Sequence, residues 1–445
     1  MAQQATIYAL SSGHGRAGVA VIRVAGAAAG DVLDRMAAPR PKPRVAGLRS
    51  IRHPTTAELL DQGLVLWFPG PQSETGQDMA ELHVHGGRAV VQGVLHAIGT
   101  IGGCRLAEPG EFARRAFENG KLDLTGVEGL ADLIDAETAA QRRQALRQAD
   151  GELARLYGGW RKRLIDALAL LEAAIDFSDE ADVSRDAIEN ARREALSLQG
   201  VIAAHLDDGH RGEIVREGFQ VVLAGPPNAG KSSLLNVLAR RDVAIVSEEA
   251  GTTRDVIEVR LDLEGVPVVI SDTAGIRDTA APVEKEGIRR TLDRAQRADL
   301  VLWLVDAADP VWRLPPELAQ LGDRALTVLN KIDLISGSLP EERQDGLRIS
   351  AQTGAGLEAL TKRLAEVARI RIGDSEAPAL TQVRHRQQLE ACAAALEAFS
   401  SHAFEAAEMA AEDLRRAAQS LGRLTGSIDV EDVLDQIFGR FCIGK

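Results

Sequence analysis

The segment between Phe219 and Leu238 carries residue types that suit the binding of a triphosphate. An apolar run at 219–224 leads into GPPNAGKS, which has the spacing G-x-x-x-x-G-K-S/T, and a helix-forming run follows it. Glycines let backbone amides approach phosphates closely, and a helix N-terminus adds oriented N–H groups and a positive dipole end. Lys231 offers a charge to the β- and γ-phosphates, and the Ser232 hydroxyl suits Mg²⁺. The predicted phosphate contacts are Asn228, Ala229, Gly230, Lys231, Ser232 and Ser233.

Two later segments are predicted to face the γ-phosphate. Asp272 ends an apolar strand, so it can organise Mg²⁺ through water, and Gly275 can offer its amide to the phosphate. The run GTTRD at 251–255 is similar to the first switch loop of a GTPase, with Thr253 as the predicted second Mg²⁺ ligand. The nucleotide contacts predicted in these segments are Ser247, Glu248, Glu249, Ala250, Gly251, Thr252, Thr253, Asp272, Thr273, Ala274 and Gly275.

The base is predicted to be guanine rather than adenine. The strand at 327–329 ends in Asn330-Lys331-Ile332-Asp333, and the Asp333 carboxylate can accept the N1–H and N2–H₂ donors of guanine together. Adenine lacks that donor pair and would leave a buried carboxylate unpaired, which costs roughly 1–3 kcal/mol. A short strand also precedes Ser350 and Ala351, whose backbone is predicted to read guanine O6. The motifs occur in the order expected of a GTPase, so we predict GTP as substrate. The contacts predicted for the base are Asn330, Lys331, Asp333, Ser350 and Ala351.

The residue that would orient the attacking water differs from that of Ras-type enzymes. Those enzymes use a Gln, whereas Ile276 follows Gly275 here and cannot hydrogen-bond water. Either the chain alone hydrolyses GTP negligibly or another residue substitutes. Glu284 lies in the second switch region, where it either orients water or is a solvated residue of the switch. The side-chain oxygen of Asn228 can bind a monovalent cation, whose charge would replace that of an arginine finger.

The elements that must position these residues fall into three kinds of sequence. Residues 1–120 contain β-rich runs at Thr6–Leu10, Val19–Val24 and Leu64–Phe68 among helix-forming stretches. Residues 121–217 and 377–445 are rich in Ala, Leu, Glu and Arg, with apolar residues at helical spacing, and residues 218–376 alternate strand and helix. We predict a multidomain α/β and α protein: an N-terminal α+β domain, a discontinuous all-α domain, and a Ras-like P-loop G domain inserted into it. Two separate helical domains are the alternative, and insertion is favoured because the ends of an inserted domain usually lie close together.

Composition narrows the choice of partner and compartment. A net charge of −13 argues against a chain that coats nucleic acid, but residues 1–120 hold 12 Lys/Arg and 10 Asp/Glu. A nucleic-acid contact is therefore expected near the N-terminus or through a more basic partner. Three widely spaced cysteines fit neither a disulfide framework nor a zinc site, which indicates a reducing cytosol. No signal-peptide pattern is present and no apolar run reaches about 18 residues, so we predict a cytoplasmic protein without a membrane span.

Five blocks of sequence resemble the tRNA-modification GTPase family MnmE, also called TrmE, over essentially the full length of the chain. The blocks are GRAGVAVIRVAG at 15–26, ELHVHGG at 81–87, PGEFARRAF at 109–117, NGKLDL at 119–124 and FCIGK at 441–445. General translation GTPases lack this combination. The resemblance implies a folate-binding and dimerisation domain at 1–120, a helical domain in two parts at 121–217 and 377–445, and an inserted G domain at 218–376.

The resemblance also implies an activity. Members of the family form homodimers through their N-terminal domains and assemble with the flavoprotein MnmG into a heterotetramer. The assembly installs a carboxymethylaminomethyl-type group on carbon 5 of the wobble uridine of certain tRNAs. A tetrahydrofolate derivative, 5-formyl or 5,10-methylene, supplies one carbon, the partner carries FAD, and K⁺ stimulates GTP hydrolysis.

Several positions match functional residues of the family. The K⁺ ligands matched are Asn228, Ser247, Glu249 and Thr252, and Glu284 matches the glutamate that orients water. The loop SEEA at 247–250 departs from the commoner Thr-Asp-Ile-Ala, but a ligand offered through the backbone carbonyl at Glu249 survives that change.

Other matches concern folate and the modification itself. Arg23, Glu81, Lys121 and Lys445 match folate-contacting positions, where cations suit the glutamyl tail and a carboxylate suits the pterin N–H donors. Cys442 matches a residue with a role in modification, although a buried tail residue is an equal interpretation.

Two alternatives stay open at the level of sequence. A ribosome-assembly GTPase, whose G domain times its docking on RNA, would share the nucleotide motifs but has no use for a pterin pocket. His83 and His85 alternate on a predicted strand and share a face, so they are either metal ligands or a packed or hydrogen-bonded pair. The lack of a nearby Cys or further His favours the packed or hydrogen-bonded pair.

Overall fold

The computed structural model describes residues 5–13, 15–176, 181–208, 210–241, 243–245, 258–272, 298–309, 314–335, 346–373, 377–402, 407–428, 431–439, 441 and 443–444. These residues form two compact units. The first contains Met1–Ala131, Arg147–Ala191 and His402–Lys445, and the second contains Asp132–Leu146 and Arg192–Ser401. Among the described helices, none has the length and apolar character needed to cross a bilayer.

A six-stranded sheet forms the N-terminal part of the first unit. Its strands are β1 (Thr6–Leu10), β2 (Ala17–Ala25), β3 (Gly47–Arg52), β4 (Leu59–Phe68), β5 (Met79–Gly86) and β6 (Cys104–Leu106). Their order is β3-β4-β5-β2-β1-β6, and all pairings are antiparallel except β1–β6. The three strands predicted from β-rich runs are therefore confirmed, and the second and third are longer than predicted.

Alternation along the strands decides which side chains enter the core. Ile22 of β2 and Leu82 of β5 are fully buried in a core that also contains residues of helices α1 (Ala29–Met36) and α2 (Arg88–Gly99). Arg23 follows Ile22 and Glu81 precedes Leu82, so both side chains lie on the opposite face of the sheet. The antiparallel register of β2 and β5 pairs Arg23 directly with Glu81. The sheet thus brings together two residues that the sequence assigns to one site.

The described part of the first unit also contains α3 (Glu111–Glu118), most of α4 (Leu124–Ile134), α6 (Glu152–Asp176), α13 (Ala407–Thr425) and α14 (Glu431–Phe438), while α4 ends in residues of the second unit. Phe112 of α3 is 1 % exposed and packs against Ile7 and Met79 on the second face of the sheet. Helices α6 and α13 pack against each other, and Phe438 of α14 joins a cluster that includes Leu124. Residues from the two ends of the chain therefore share one core.

The second unit is built around another six-stranded sheet. Its strands are β7 (Phe219–Ala224), β8 (Glu258–Leu263), β9 (Val266–Asp272), β10 (Leu300–Asp306), β11 (Ala325–Asn330) and β12 (Leu347–Arg348). The order is β12-β11-β10-β7-β9-β8, with only β8 antiparallel to its neighbour. A mainly parallel sheet requires helical cover, which agrees with the apolar runs in these strands.

Helices of the second unit cover this sheet and extend beyond it. They are α5 (Ala139–Ala149), α7 (Ala181–Leu206), α8 (Arg211–Glu217), α9 (Lys231–Ala239), α10 (Pro316–Ala319), α11 (Leu357–Ile372) and α12 (Val383–Ser401), although α5 and α7 also contain residues of the first unit. Apolar residues at helical spacing are fully buried in α9 and in α11, as with Leu234 and Leu364.

The entry and exit of the G domain lie side by side. A Cβ placed on Gly212 of α8 would lie 2.1 Å from the Leu380 carbonyl oxygen, so the two segments are in close backbone contact. Arg386 of α12 donates to the Leu206 carbonyl at 2.9 Å, to Asp208 at 3.1 Å and to Glu213 at 3.1 Å. The inserted arrangement predicted from the sequence is confirmed, whereas the domain boundaries at 120, 217 and 376 stay a prediction.

Part of the helical sequence packs with the G domain. The Ala140 amide donates to the carbonyl of Gly265, in the turn between β8 and β9, at 3.0 Å. The side chains of Gln141 and Gln144 donate to the carbonyls of Arg216 and Gly212, at 3.1 and 2.9 Å. Residues 132–146 consequently belong to the second unit.

Candidate functional site

Two glycines of the predicted phosphate loop are required by their surroundings. Gly225 has a φ of +148°, and a Cβ there would lie 2.0 Å from the Leu304 carbonyl oxygen of β10. Gly230, at the N-terminus of α9, has a φ of +95°, and its Cβ would lie 2.3 Å from Asn330 Nδ2. Only glycine allows both the conformation and the close approach. The loop can therefore leave β7 and start α9 with its backbone pressed against two neighbouring strands.

Lys231 is held against this loop. Its Nζ donates to the carbonyl oxygens of Gly225 and Pro226, each at 2.9 Å. Burial lowers the pKa of Lys231, and the nearby Asp272 acts in the opposite direction. A phosphate anion at this position would compensate the burial that the amine now experiences.

Ser232 and Asp272 form the part of the site that suits a divalent cation. The Ser232 hydroxyl donates to Asp272 Oδ2 at 3.2 Å, and Asp272 is 3 % exposed at the end of β9. The parallel pairing of β7 with β9, which aligns Leu223 with Asp272, sets this distance. A hydroxyl and a carboxylate oxygen are hard donors of the kind that Mg²⁺ prefers, so this pair fits the predicted ion.

Asn330 joins the phosphate loop to the loop predicted to read guanine. It is fully buried, its Nδ2 donates to the Ala229 carbonyl at 2.8 Å, and its Oδ1 accepts the Ala351 amide at 3.0 Å. Ser350 is also fully buried, and its Oγ accepts the Thr353 amide at 3.1 Å. One side-chain amide therefore fixes the distance between the predicted phosphate and base contacts.

Lys331 and Asp333, the two charged residues predicted to contact the base, differ in their surroundings. The Nζ of Lys331 donates to Asp306 Oδ2 at 2.9 Å. Partial burial raises the pKa of Asp306. The hydrogen bonds from the Ala308 amide and Lys331 lower that pKa by more than burial raises it, so the pKa of Asp306 lies below its ordinary value. Asp333 lies in a short 3₁₀ turn, Ile332–Leu334, and is exposed. Its carboxylate is therefore open to a ligand.

Many predicted site residues lie outside the described residues. They are Ser247, Glu248, Glu249, Ala250, Gly251, Thr252, Thr253, Thr273, Ala274, Gly275, Glu284, Cys442 and Lys445. The structure therefore brings together the described parts of the nucleotide motifs, from the phosphate loop, the end of β9 and the ends of β11 and β12.

A second polar cluster lies on the second face of the N-terminal sheet. The Nε of Arg23 donates to Glu81 Oε1 at 3.0 Å, and its Nη1 donates to Glu74 at 3.1 Å. His83 Nε2 lies 3.0 Å from the other oxygen of Glu81. His85 is bound to Asp61 instead, with 2.8 Å between Nδ1 and Oδ1, so both histidines are hydrogen-bonded as predicted.

Lys121 and the C-terminal tail reach the same domain by separate contacts. Gly76 follows Glu74 in the loop at 70–78, and a Cβ there would lie 3.4 Å from Lys121 Cε. The Ser11 hydroxyl donates to the Gly444 carbonyl at 2.8 Å, and Ile443 forms a bridge with Pro109. The neighbours of Lys445 are therefore anchored on the N-terminal domain.

Sequence reasoning missed three members of these clusters. Glu74 lies in a turn-rich loop, and only the tertiary contact with Arg23 reveals it. The sequence indicates His83 only as one of a pair, although its place two residues after Glu81 on a strand puts both on one face. Asp306 ends an apolar strand in the same manner as Asp272, which is a signal that could have found it.

Comparisons with known protein families match almost the whole chain. The family description "GTP-binding protein TrmE N-terminus" matches residues 6–121, and "MnmE helical domain" matches residues 124–442. The "tRNA modification GTPase MnmE" of Maricaulis maris is 54 % identical over 442 residues, covering 99 % of each chain. The mitochondrial 5-taurinomethyluridine-tRNA synthase subunit GTPB3 of Homo sapiens is 51 % identical over 465 residues, covering 99 % of this chain and 93 % of its own.

Solved structures match part of the chain. The G domain of the T. maritima FeoB iron transporter is 24 % identical, with a TM-score of 0.25, and covers 33 % of this chain and 97 % of its own. The Aquifex aeolicus protein Era bound to GDP.AlF4- is 26 % identical, with a TM-score of 0.26, and covers 39 % of this chain and 65 % of its own.

Proposed function

The chain belongs to the MnmE family of tRNA modification GTPases, and on that premise we propose that it is a potassium-activated GTPase that modifies carbon 5 of the wobble uridine of certain tRNAs. As a member of this family, the chain is a GTP hydrolase that takes part in tRNA modification. The cation, the one-carbon donor, the partner and the individual site residues are what the proposal adds. The observation that supports it most directly is the link from Ala229 through Asn330 to Ala351, which joins the predicted phosphate loop to the loop predicted to read guanine.

The chain's own residues have separate tasks in hydrolysis. Backbone amides of 228–233 and Lys231 bind the phosphates, and Asp333 selects guanine. Ser232 and Thr253 would hold Mg²⁺, with Asp272 behind Ser232, and the bound ion would neutralise charge on the β- and γ-phosphates. Glu284 would orient the attacking water, because an isoleucine follows Gly275 where Ras-type enzymes have a Gln.

The proposal of potassium activation is supported by the position of Asn228 in the phosphate loop and by the match to the K⁺ ligands of the family. Asn228 is exposed in that loop with a φ of +62°, so its side-chain oxygen is accessible beside the predicted phosphates. Ser247, Glu249 and Thr252 would complete the K⁺ site by family match. The bound ion would supply positive charge where an arginine finger otherwise stands.

The N-terminal domain is proposed to bind a tetrahydrofolate derivative, 5-formyl or 5,10-methylene. Arg23 and Glu81 are in direct contact, and the stem of Lys121 lies beside the loop that carries Glu74. A carboxylate suits the pterin N–H donors and the cations suit a glutamyl tail. Lys445 would join them by family match, since the residue before it is bound to the Ser11 hydroxyl.

Assembly and location complete the proposal. The human relative is named as a synthase subunit, which supports a partner protein, and we assign that part to an MnmG-like flavoprotein carrying FAD. Residues 1–120 would form the homodimer, and two copies of each protein a heterotetramer acting on tRNA in the cytoplasm. Cys442 would take part in the modification.

GTP turnover measured in K⁺ and in Na⁺ at equal ionic strength tests the proposal. We expect turnover to rise severalfold or more in K⁺, because the ion offsets negative charge that develops on the phosphates. Glu284→Ala should retain nucleotide affinity and lose kcat, as expected of a contact made mainly in the transition state. Equal rates in the two salts would remove the cation role, and weakened GDP binding by the variant would make Glu284 structural.

A further inference from the structure

Positive charge is concentrated in one stretch of this acidic chain. The chain has a net charge of −13, but residues 139–165 hold seven Lys/Arg and only two Asp/Glu. Helix α5 opens this stretch with three arginines and no acidic residue. A local excess of one sign on a short helix is what a surface for an oppositely charged partner requires.

Helix faces that merely stay in solvent usually mix charges three or four residues apart. Such pairs occur on several other helices, and two examples show the spacing. Arg363 and Glu366 are paired on α11 at 3.4 Å, and Glu412 and Arg415 are paired on α13 at 3.1 Å. In α5, by contrast, the positions three and four residues away from its first two arginines hold no acidic residue.

The fold turns two of these arginines outward. Gln141 and Ala145 are buried, at 8 % and 2 % exposed, whereas Arg142 and Arg143 are exposed between them. The amide side chains of Gln141 and Gln144 fix the inner face by donating to backbone carbonyls of α8. We call the outward pair, Arg142 and Arg143, the α5 basic face. Its backbone is held in place before any ligand arrives, so binding needs to order only the two side chains.

Two carboxylates of the segment that precedes α5 are paired with arginines outside the face. Asp132 accepts Arg216 Nε at 2.8 Å, and Glu137 lies 3.6 Å from Arg260. Within the described part of the chain, no ion pair or side-chain hydrogen bond involves either arginine of the α5 basic face. The charge of this face is therefore left for a partner.

We propose that the α5 basic face docks the phosphate backbone of tRNA, an inference that rests on the proposed function. Planar guanidinium groups bind phosphate oxygens in a fork and release counterions from the nucleic acid. Such contacts position an RNA without reading its sequence, which suits an enzyme that handles several tRNAs. An acidic protein surface is the competing partner. The family membership favours tRNA, because its members are named as tRNA modification GTPases and tRNA is a polyanion that a local positive face can hold.

Binding of an unmodified tRNA transcript to the full-length chain at several salt concentrations tests the surface. Arg142→Gln with Arg143→Gln should weaken binding about tenfold and reduce the slope of log K against log salt by about 2, since two phosphate contacts are lost. Arg142→Lys with Arg143→Lys should keep most of the slope, because the charges remain. Lys362→Gln with Arg363→Gln is the matched control, and it removes two adjacent exposed charges from α11 in the same unit.

The outcomes separate the surface from the proposed function. If the wild-type chain binds tRNA and the Gln pair binds it equally with an unchanged slope, the surface is refuted and the proposed function stands. An equal loss in the control would reduce the effect to overall charge and also refute the surface. Loss of flavoprotein binding with tRNA binding retained would assign the face to a protein instead. A wild-type chain that does not bind tRNA would refute the surface, whereas the proposed function would stand, because its tRNA contact can come from the partner protein and its own test is GTP turnover in K⁺ and Na⁺. GTPase activity and the unfolding midpoint should be unchanged in every variant.

Discussion

At the scale of single residues, Asn330 does more than the sequence implied. The motif at 330–333 predicted contact with the base, but in the structure Asn330 is a buried connector that satisfies one carbonyl and one amide from different loops. Such a role depends on groups about 100 and 20 residues away in the chain, at Ala229 and Ala351, so no local pattern could show it. The residue type and its place after a strand were predictable, whereas its partners were not.

Replacing Asn330 with Ala should weaken both stability and nucleotide binding. The change leaves the Ala229 carbonyl and the Ala351 amide without their partner, which costs about 1–3 kcal/mol when such groups are buried. We expect GDP affinity, measured by calorimetry, to fall at least tenfold because the two loops lose their fixed spacing. Asn330→Asp keeps an acceptor for Ala351 but faces the Ala229 carbonyl with a carboxylate, so it should not restore binding. Unchanged affinity in the Ala variant would show that the loops are positioned by other contacts.

At the scale of elements, one arginine contributes several of the bonds between the segments that lead into and out of the predicted G domain. Arg386 of α12 binds the end of α7 and the start of α8, and its partner Glu213 is largely buried. Partial burial raises the pKa of Glu213, but hydrogen bonds from Arg386 and His210 lower it more, so its pKa lies below the ordinary value. A carboxylate of this kind stabilises the fold above its ordinary pKa, and the contribution is lost as the pH falls through the lower, folded value.

Replacing Arg386 with Met should therefore lower stability most at neutral pH. Breaking a largely buried pair costs about 3–5 kcal/mol, and the loss should shrink as the pH falls below the ordinary carboxyl pKa and Glu213 becomes protonated in the wild type. Urea unfolding followed by circular dichroism from neutral to acidic pH measures this. Arg363→Met removes an exposed pair with Glu366 on α11 and should cost under about 1 kcal/mol. Parallel pH curves for wild type and Arg386→Met would contradict the role given to the pair.

At the scale of the whole molecule, the alternation of sequence types predicted three parts and their nesting. The assignment of residues 132–146 to the second unit was not predictable, because a short helix such as α5 carries a pattern that any helical domain would share. Contacts such as Ala140 with Gly265 decide that residues 132–146 pack with the G domain, and these contacts involve backbone atoms that leave no signal in the side chains. The candidate site was predictable where motifs are local, at 225–232 and 330–333, and not where it depends on Asp306 or Glu74.

A fragment spanning the predicted G domain, 218–376, should bind GDP with nearly the affinity of the full chain. Every described contact of the nucleotide site, from Gly225 to Ala351, lies within it. Calorimetry on the fragment and on the full chain compares the two, with a fragment carrying Asn330→Ala as the negative control. A fragment that folds cooperatively yet binds more than about tenfold weaker would show that residues outside it shape the site.

The hairpin β8–β9 has a mechanical consequence. Its two open ends continue into the stretches that hold Thr253 and Gly275, the predicted γ-phosphate sensors, while its tip carries Gly265, which is bonded to Ala140 at the beginning of α5. β9 is held in the sheet by β7 and β8 is the edge strand, so a shift of the hairpin that begins at the sensor end would strain the bond at the tip or tilt the helix that bears the α5 basic face. The presence of the γ-phosphate and the affinity of the α5 basic face for a polyanion would then be coupled through this hairpin.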